Sequence, residues 1–315
     1  MAGTARSART QVHRVVLFAY LATVGPGRAP AQEAAAVKDR GASEILAPGK
    51  GWELIGQDYQ LTAESAVDKQ GNIFFTDAQK DRILKIDLEG KIALWKQGSH
   101  GSHGVAFGPD GRLYAGQHDL KRMVAFSSDG VESVVAEGAQ THHFTATARN
   151  HIYFTVAPAH QVWLLDEAGG KRLVHEGLEW PRGVRVSPDG WRLLVADSRA
   201  NRIWSFRIEE DGSLTGGKVA YEVETRAGSP DADIGGMTFD SEGFLYVATK
   251  LGVQVFDRQE RLAAIIDVPG PEGVSNVMFA GPGLKWLYSM EWNKVYRRPL
   301  RRNGADPFAK TTPRR

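Results

Sequence analysis

Short runs of alternating apolar and polar residues fill most of the chain, each interrupted by turn residues. Segments such as SAVDKQGNIFFTD, GVAFGPDGRLYAG and GVRVSPDGWRLLVAD show the pattern. A period of two, broken by Gln-Gly or Pro-Asp-Gly, predicts antiparallel strands joined by tight turns. The pattern repeats. Aligned on one apolar strand, the copies bring Ala63, His103, His142, Arg182, Gly235 and Ser275 into register, at successive spacings of 40, 39, 40, 53 and 40 residues. A unit of about 40 residues holding about four strands is a propeller blade. Six copies predict an all-β, six-bladed β-propeller over residues 51–300. The segment GWELIGQDYQL, residues 51–61, precedes the first copy and is expected to complete the last blade. The longer fourth unit fits a long outer hairpin or loop around residues 209–231.

Composition changes the picture at the ends of the chain. Arg6, Arg9 and Arg14 precede the apolar run VVLFAYLATV and then Ala29-Pro30-Ala31. This is the plan of a secretory signal peptide over residues 1–31, and the apolar run is too short to span a bilayer. Residues 32–50 are expected to be a linker and residues 301–315 a flexible tail. The expected location is periplasmic or secreted, with no membrane span after processing. Four of the 39 basic residues and none of the 37 acids lie in the leader, so 35 bases face 37 acids in the remainder. That balance predicts no nucleic-acid surface. Cysteine is absent, which removes thiolate catalysis and thiolate zinc sites and leaves ring closure to stabilise the sheets.

Several copies, among them LYAGQHDLKRMV, RGVRVSPDGWRLLVADSRANRI and SNVMFAGPGLKWLY, resemble segments of SMP-30/gluconolactonase proteins over roughly residues 52–300. That resemblance implies hydrolysis of a sugar lactone or related ester. It also implies a divalent cation at one end of the central channel, held by a Glu of the first blade, an Asn of the fourth and an Asp of the fifth. Those positions fall on Ala63, Arg182 and Gly235, and all three depart from the pattern. Glu64 follows the first position directly, and Asp233 lies two residues before the third. Guanidinium has only donors, so Arg182 cannot ligate a cation.

Other chemistry gathers at the register positions. Five of the nine histidines, His100, His103, His118, His142 and His143, lie between residues 100 and 143, and His103 and His142 occupy register positions of adjacent blades. Together with Glu64 and a water they would make a rebuilt metal site for zinc or calcium, in which a bound water or a histidine serves as base. Arg182 would then bind a carboxylate or stabilise an oxyanion. The structural alternative is that the histidines bond backbone carbonyls or water and that Arg182 pairs with Asp197, Asp231 or Asp233. His143 adjoins His142 on a strand and is expected to face the other way unless the turn brings both rings to the mouth. His143, Asp233 and Asn276 complete the candidate substrate contacts. Asp197 reads as turn chemistry and His118 as structural.

The leading expectation is therefore an exported lactonase or esterase acting on a small, carbohydrate-derived molecule. A non-catalytic propeller that binds a carbohydrate, peptide or protein is the second. A lyase with three converging histidines on zinc is the third.

Overall fold

The computed structural model describes residues 39–309, so the expected leader lies outside the described residues. Six four-stranded antiparallel sheets follow one another along the chain. Their first, innermost strands are Thr62–Val67, Ser102–Phe107, His143–Ala146, Pro181–Val186, Met237–Phe239 and Asn276–Ala280. Each of the first five sheets is built from four consecutive strands. The sixth consists of Asn276–Ala280, Trp286–Glu291, Lys294–Pro299 and, as its outermost member, Glu53–Gln57 from the start of the domain. Glu53 pairs with Arg297 and Leu54 with Tyr296, so the start of the domain completes the last blade and closes the ring. The protein is a six-bladed β-propeller.

Local sequence explains the turns. On the side away from the mouth, an aspartate accepts backbone N–H groups two and four residues ahead, as Asp68 does from Gln70 and Asn72 (both 2.9 Å). Gly71 then takes a φ of 96°, which a side chain would oppose. The extra length of the fourth unit goes into the nine-residue outer strand Leu214–Glu222 and the connection that follows it.

The core lies between neighbouring blades. Ala66, Phe74 and Ile83 of the first blade pack with Val105, Leu113 and Phe126 of the second. Tyr246 of the fifth meets Phe279 of the sixth edge-on at 4.9 Å. Fully burying one such side chain contributes about 1.5–3 kcal/mol, so the seams hold the ring together without disulfides.

Two end segments differ from expectation. Residues 39–50 pack as part of the domain: Arg40 bridges to Ile265, Leu46 bridges to Leu300, and Ala42 and Ile45 are buried in the core between the fifth and sixth blades. Residues 301–309 are also engaged, since Arg301 N–H donates to the Ile45 carbonyl and Ala305 N–H to that of Phe239. No helix among the described residues is long and apolar enough to cross a membrane.

Candidate functional site

The site begins with a repeated irregularity of the inner strands. Thr62 pairs with Asp77 and then Ser65 with Phe75, leaving Ala63 and Glu64 opposite one residue. The second blade does the same around His103 and Gly104, and the fourth around Arg182 and Gly183. Two residues against one is a β-bulge, which re-aims the side chains it carries. Strict alternation therefore fails at the mouth. His142 and His143, expected to point apart, both line the same cavity of about 440 Å3. That cavity also takes in His103, Arg182, Asp233 and Lys250, with Trp180 and Trp292 in its wall.

The position after the register residue is glycine in the second, fourth and fifth blades, and a side chain there would be crowded. A Cβ on Gly183 would lie 2.0 Å from the Gly235 carbonyl oxygen, and one on Gly236 2.2 Å from Asn276 Oδ1. The same position carries Glu64 in the first blade and His143 in the third. His143 Nδ1 sits 2.5 Å from Glu64 Oε1, with both residues 8% exposed. Neither atom makes a hydrogen bond of acceptable angle, so the pair is a close approach of carboxylate and ring at a buried position. A carboxylate at Nδ1 keeps the proton on that nitrogen and leaves the Nε2 lone pair as the basic one.

Above this pair, three rings form a cluster. The His103 and His142 centroids are 4.7 Å apart, and His118 lies 4.8 Å from His142 and 5.6 Å from His103. Burial, and then the neighbouring histidines, lower the pKa of His103 to about 4 and that of His142 to about 3. Both rings are neutral at pH 7. His118, read from the sequence as structural, belongs to this cluster, its Nε2 3.4 Å from Gln140 Nε2 and its Nδ1 buried without a partner. His100 is exposed and does not line the cavity.

Arg182 forms an ion pair with Asp233, and Lys250 forms one with Asp231 at 2.9 Å. Asp197 instead accepts the N–H groups of Glu179 (2.9 Å) and Trp180 (2.7 Å), bracing the loop that leads into the fourth inner strand. Asp77 does the same for Gln60 and Leu61 in the first blade. Asn276 does not line the mouth cavity. It is 1% exposed, lies further along the channel in a cavity of about 100 Å3, and leaves its Nδ2 without a partner. Arg185 shares that deeper cavity, where burial lowers its pKa and the Glu64 carboxylate opposes the fall. Sequence reading missed it. Its one signal is a charged residue at an inward position of the strand GVRV.

The residues present do not fit the family's cation. Ala63 has no donor atom, Arg182 repels a cation, and any side chain at Gly235 would meet the Ser275 carbonyl oxygen at 2.0 Å. The expected replacement trio of Glu64, His103 and His142 is also not assembled. Glu64 is turned to His143 while His103 and His142 pack on His118. Among the described residues no three His, Asp or Glu side chains are placed to hold a metal ion.

Comparison with known proteins places this geometry in a family. A gluconolactonase of Zymomonas mobilis is 23% identical over 287 residues, covering 77% of this chain and 80% of that protein. Among solved structures, a gluconolactonase of Xanthomonas campestris superposes with a TM-score of 0.72 at 21% identity, covering 84% of this chain and 96% of the other. A calcium-binding regucalcin from Agrobacterium tumefaciens gives 0.69 at 14% identity, covering 83% and 97%. At these identities the structural likeness establishes the fold. The family model of the SMP-30/gluconolactonase/LRE-like region matches residues 63–290, and the chain belongs to that family.

Proposed function

We propose that this protein is an exported hydrolase that opens a lactone or related cyclic ester by general-base catalysis, with His143 as the base. The observation that carries the reading is the Glu64–His143 contact of 2.5 Å, made by a ring that lines the mouth cavity to a carboxylate that lines the deeper one. A buried carboxylate that orients a histidine, with the second ring nitrogen free, is the arrangement a water-activating base requires. The lactonase relatives supply the substrate class, and the leader expected over residues 1–31 supplies the export.

In this mechanism a water lies between His143 Nε2 and the lactone carbonyl carbon. Nε2 takes a proton as the water oxygen adds to the carbon. The carbonyl electrons move onto its oxygen, which the N–H groups of Arg182 not engaged by Asp233 are available to stabilise. Collapse of the tetrahedral adduct breaks the ring C–O bond, and the proton on Nε2 passes to the departing alkoxide. The product is the open hydroxy acid. Asp233 holds Arg182 in place, and the Glu64 carboxylate balances the charge that His143 carries between the two proton transfers. No metal takes part.

The test is hydrolysis of a panel of γ- and δ-lactones, D-glucono-1,5-lactone included, followed by pH-stat. His143→Ala is expected to lower kcat/KM by about 10²–10⁴-fold, the usual contribution of a positioned base. Glu64→Gln, which keeps the shape and removes the charge, is expected to lower kcat more than it raises KM. Turnover by wild type that survives His143→Ala would overturn the mechanism. Binding of sugars without any turnover would favour the non-catalytic reading.

A further inference from the structure

In each blade the turn between the second and third strands lies at the mouth end and contains one residue with positive φ. In the first four blades these are Asp81 (53°), Lys121 (52°), His160 (62°) and Asn201 (55°), and in the fifth Gly252 (116°). The sixth blade places Trp292 there, at 46°. Left-handed backbone crowds a Cβ against the following carbonyl, and a bulky aromatic is among the least suited residues to it. Asn293, a residue that tolerates this conformation well, is the very next one, yet the tryptophan adopts it.

The rest of the turn gives that strain a purpose. The Trp292 carbonyl accepts Thr62 N–H (2.8 Å) and Thr62 Oγ1 (3.2 Å), and the Asn293 carbonyl accepts Tyr59 N–H (3.2 Å). The turn is thus clamped across the seam where the ring closes. Its indole is 53% exposed and lines the mouth cavity. Trp180, also in the cavity wall, is covered by the Arg199 guanidinium 3.8 Å from its ring centroid. Among the described residues no ring or cation packs on Trp292.

The charges of the cavity narrow the ligand. Its charged lining is two cations, Arg182 and Lys250, and two carboxylates, Asp233 and Glu272. Arg182 is committed to Asp233 and Lys250 to Asp231, so an anionic substituent finds no unpaired cation. We infer that Trp292 is a substrate-stacking residue that takes the apolar face of an uncharged ring and thereby sets specificity against phosphorylated or carboxylated analogues. Strain held at a rigid, exposed aromatic that nothing covers is the signature of a residue kept for a ligand. The assignment of the ring as a lactone rests on the proposed function. The stacking itself does not.

The experiment uses the full chain and D-glucono-1,5-lactam, an uncharged ring that is not hydrolysed as the lactone is, with 6-phospho-D-gluconate as the charged comparison. Calorimetric titration is expected to show the lactam binding wild type and Trp292→Phe, and binding Trp292→Gly about tenfold more weakly, the loss of one aromatic stack. The phosphorylated probe is expected to bind wild type more weakly than the lactam does. Trp292→Gly is also expected to melt at a higher temperature than wild type, because glycine relieves the left-handed strain. With D-glucono-1,5-lactone as substrate, its KM is expected to rise about tenfold with kcat nearly unchanged. No lactam binding to wild type, equal binding by Trp292→Gly, or a lower melting temperature for that variant would overturn the inference. If the lactam binds through Trp292 while His143→Ala leaves turnover intact, the mechanism fails and the stacking stands.

Discussion

The neutral histidine cluster makes acid stability a quantitative test of the mouth geometry. An unfolded chain protonates histidine near pH 6.5, whereas native His103 and His142 stay neutral down to about 4 and about 3 because of burial and their histidine neighbours. Between those values the unfolded state binds more protons, so native stability is fully present above pH 6.5 and is lost as pH falls. Integrated from pH 6.5 to 5, the two rings together remove about 3 kcal/mol, an upper figure because both are partly exposed. Glu291 works in the opposite sense. It is 3% exposed, with Ser289 Oγ donating to Oε1 (3.0 Å) and Oε2 unpartnered, and burial raises its pKa to about 7. A raised carboxyl contributes stability present below about pH 4.5 and lost as pH rises through 7, so over the same interval it returns about 2 kcal/mol. The histidines win narrowly. His151 and His175, lowered by burial, add to their side, and Asp240 and Asp267, raised by burial, add to the other. Urea unfolding at pH 6.5 and 5 should therefore show wild type losing about 1 kcal/mol. Glu291→Gln should lose about 3, and the double variant His103→Gln/His142→Gln should become more stable instead. A double variant that keeps the wild-type loss would refute the assignment to the mouth of neutral rings that resist protonation.

Two further outcomes test the packing and the chemistry of the same region. Gly183→Ala is expected to cost roughly 2–3 kcal/mol, read as a lower urea midpoint, because the new methyl meets rigid backbone; the 2.0 Å approach to the Gly235 carbonyl leaves no side chain to yield. Prolonged dialysis against EDTA is expected to leave both the melting temperature and lactone hydrolysis unchanged, and a loss of either would return a metal to the site.

Much of the architecture is legible in the sequence, for a definite reason. A propeller repeats one local unit, so period-two apolar runs recur in every blade, turn residues and a spacing near 40 in most of them, and these signals reinforce one another. The closing strand is legible for the same reason, since residues 53–57 supply the one strand the sixth copy lacks. What the repeat does not encode is less visible. Ala42 and Ile45 belong to a short mixed stretch without strand periodicity, and nothing local says that a seam awaits them. Glu64 and His143 meet across two blades. Alternation predicts that His142 and His143 point apart, yet the third inner strand begins only at His143, so its period does not extend to His142 and both line one cavity.

The inner-strand bulge accounts for how the site departs from its family. In the first, second and fourth blades it sets two consecutive residues against one partner, and the register of the six inner strands defines two successive layers. The outer layer reads Ala63, His103, His142, Arg182, Gly235 and Ser275. The inner one reads Glu64, Gly104, His143, Gly183, Gly236 and Asn276. A cation ligated from the outer layer needs oxygen donors there, and this chain has replaced them with a methyl, a guanidinium and a hydrogen. Its carboxylate stands one step further along, where the residue at the matching step of the third blade is a histidine. A carboxylate beside other carboxylates invites a cation, whereas a carboxylate against an imidazole satisfies itself and makes a base. In the proposed mechanism, the shift of one acid by one residue acts together with the loss of the oxygen donors at Arg182 and Gly235 to exchange the first chemistry for the second.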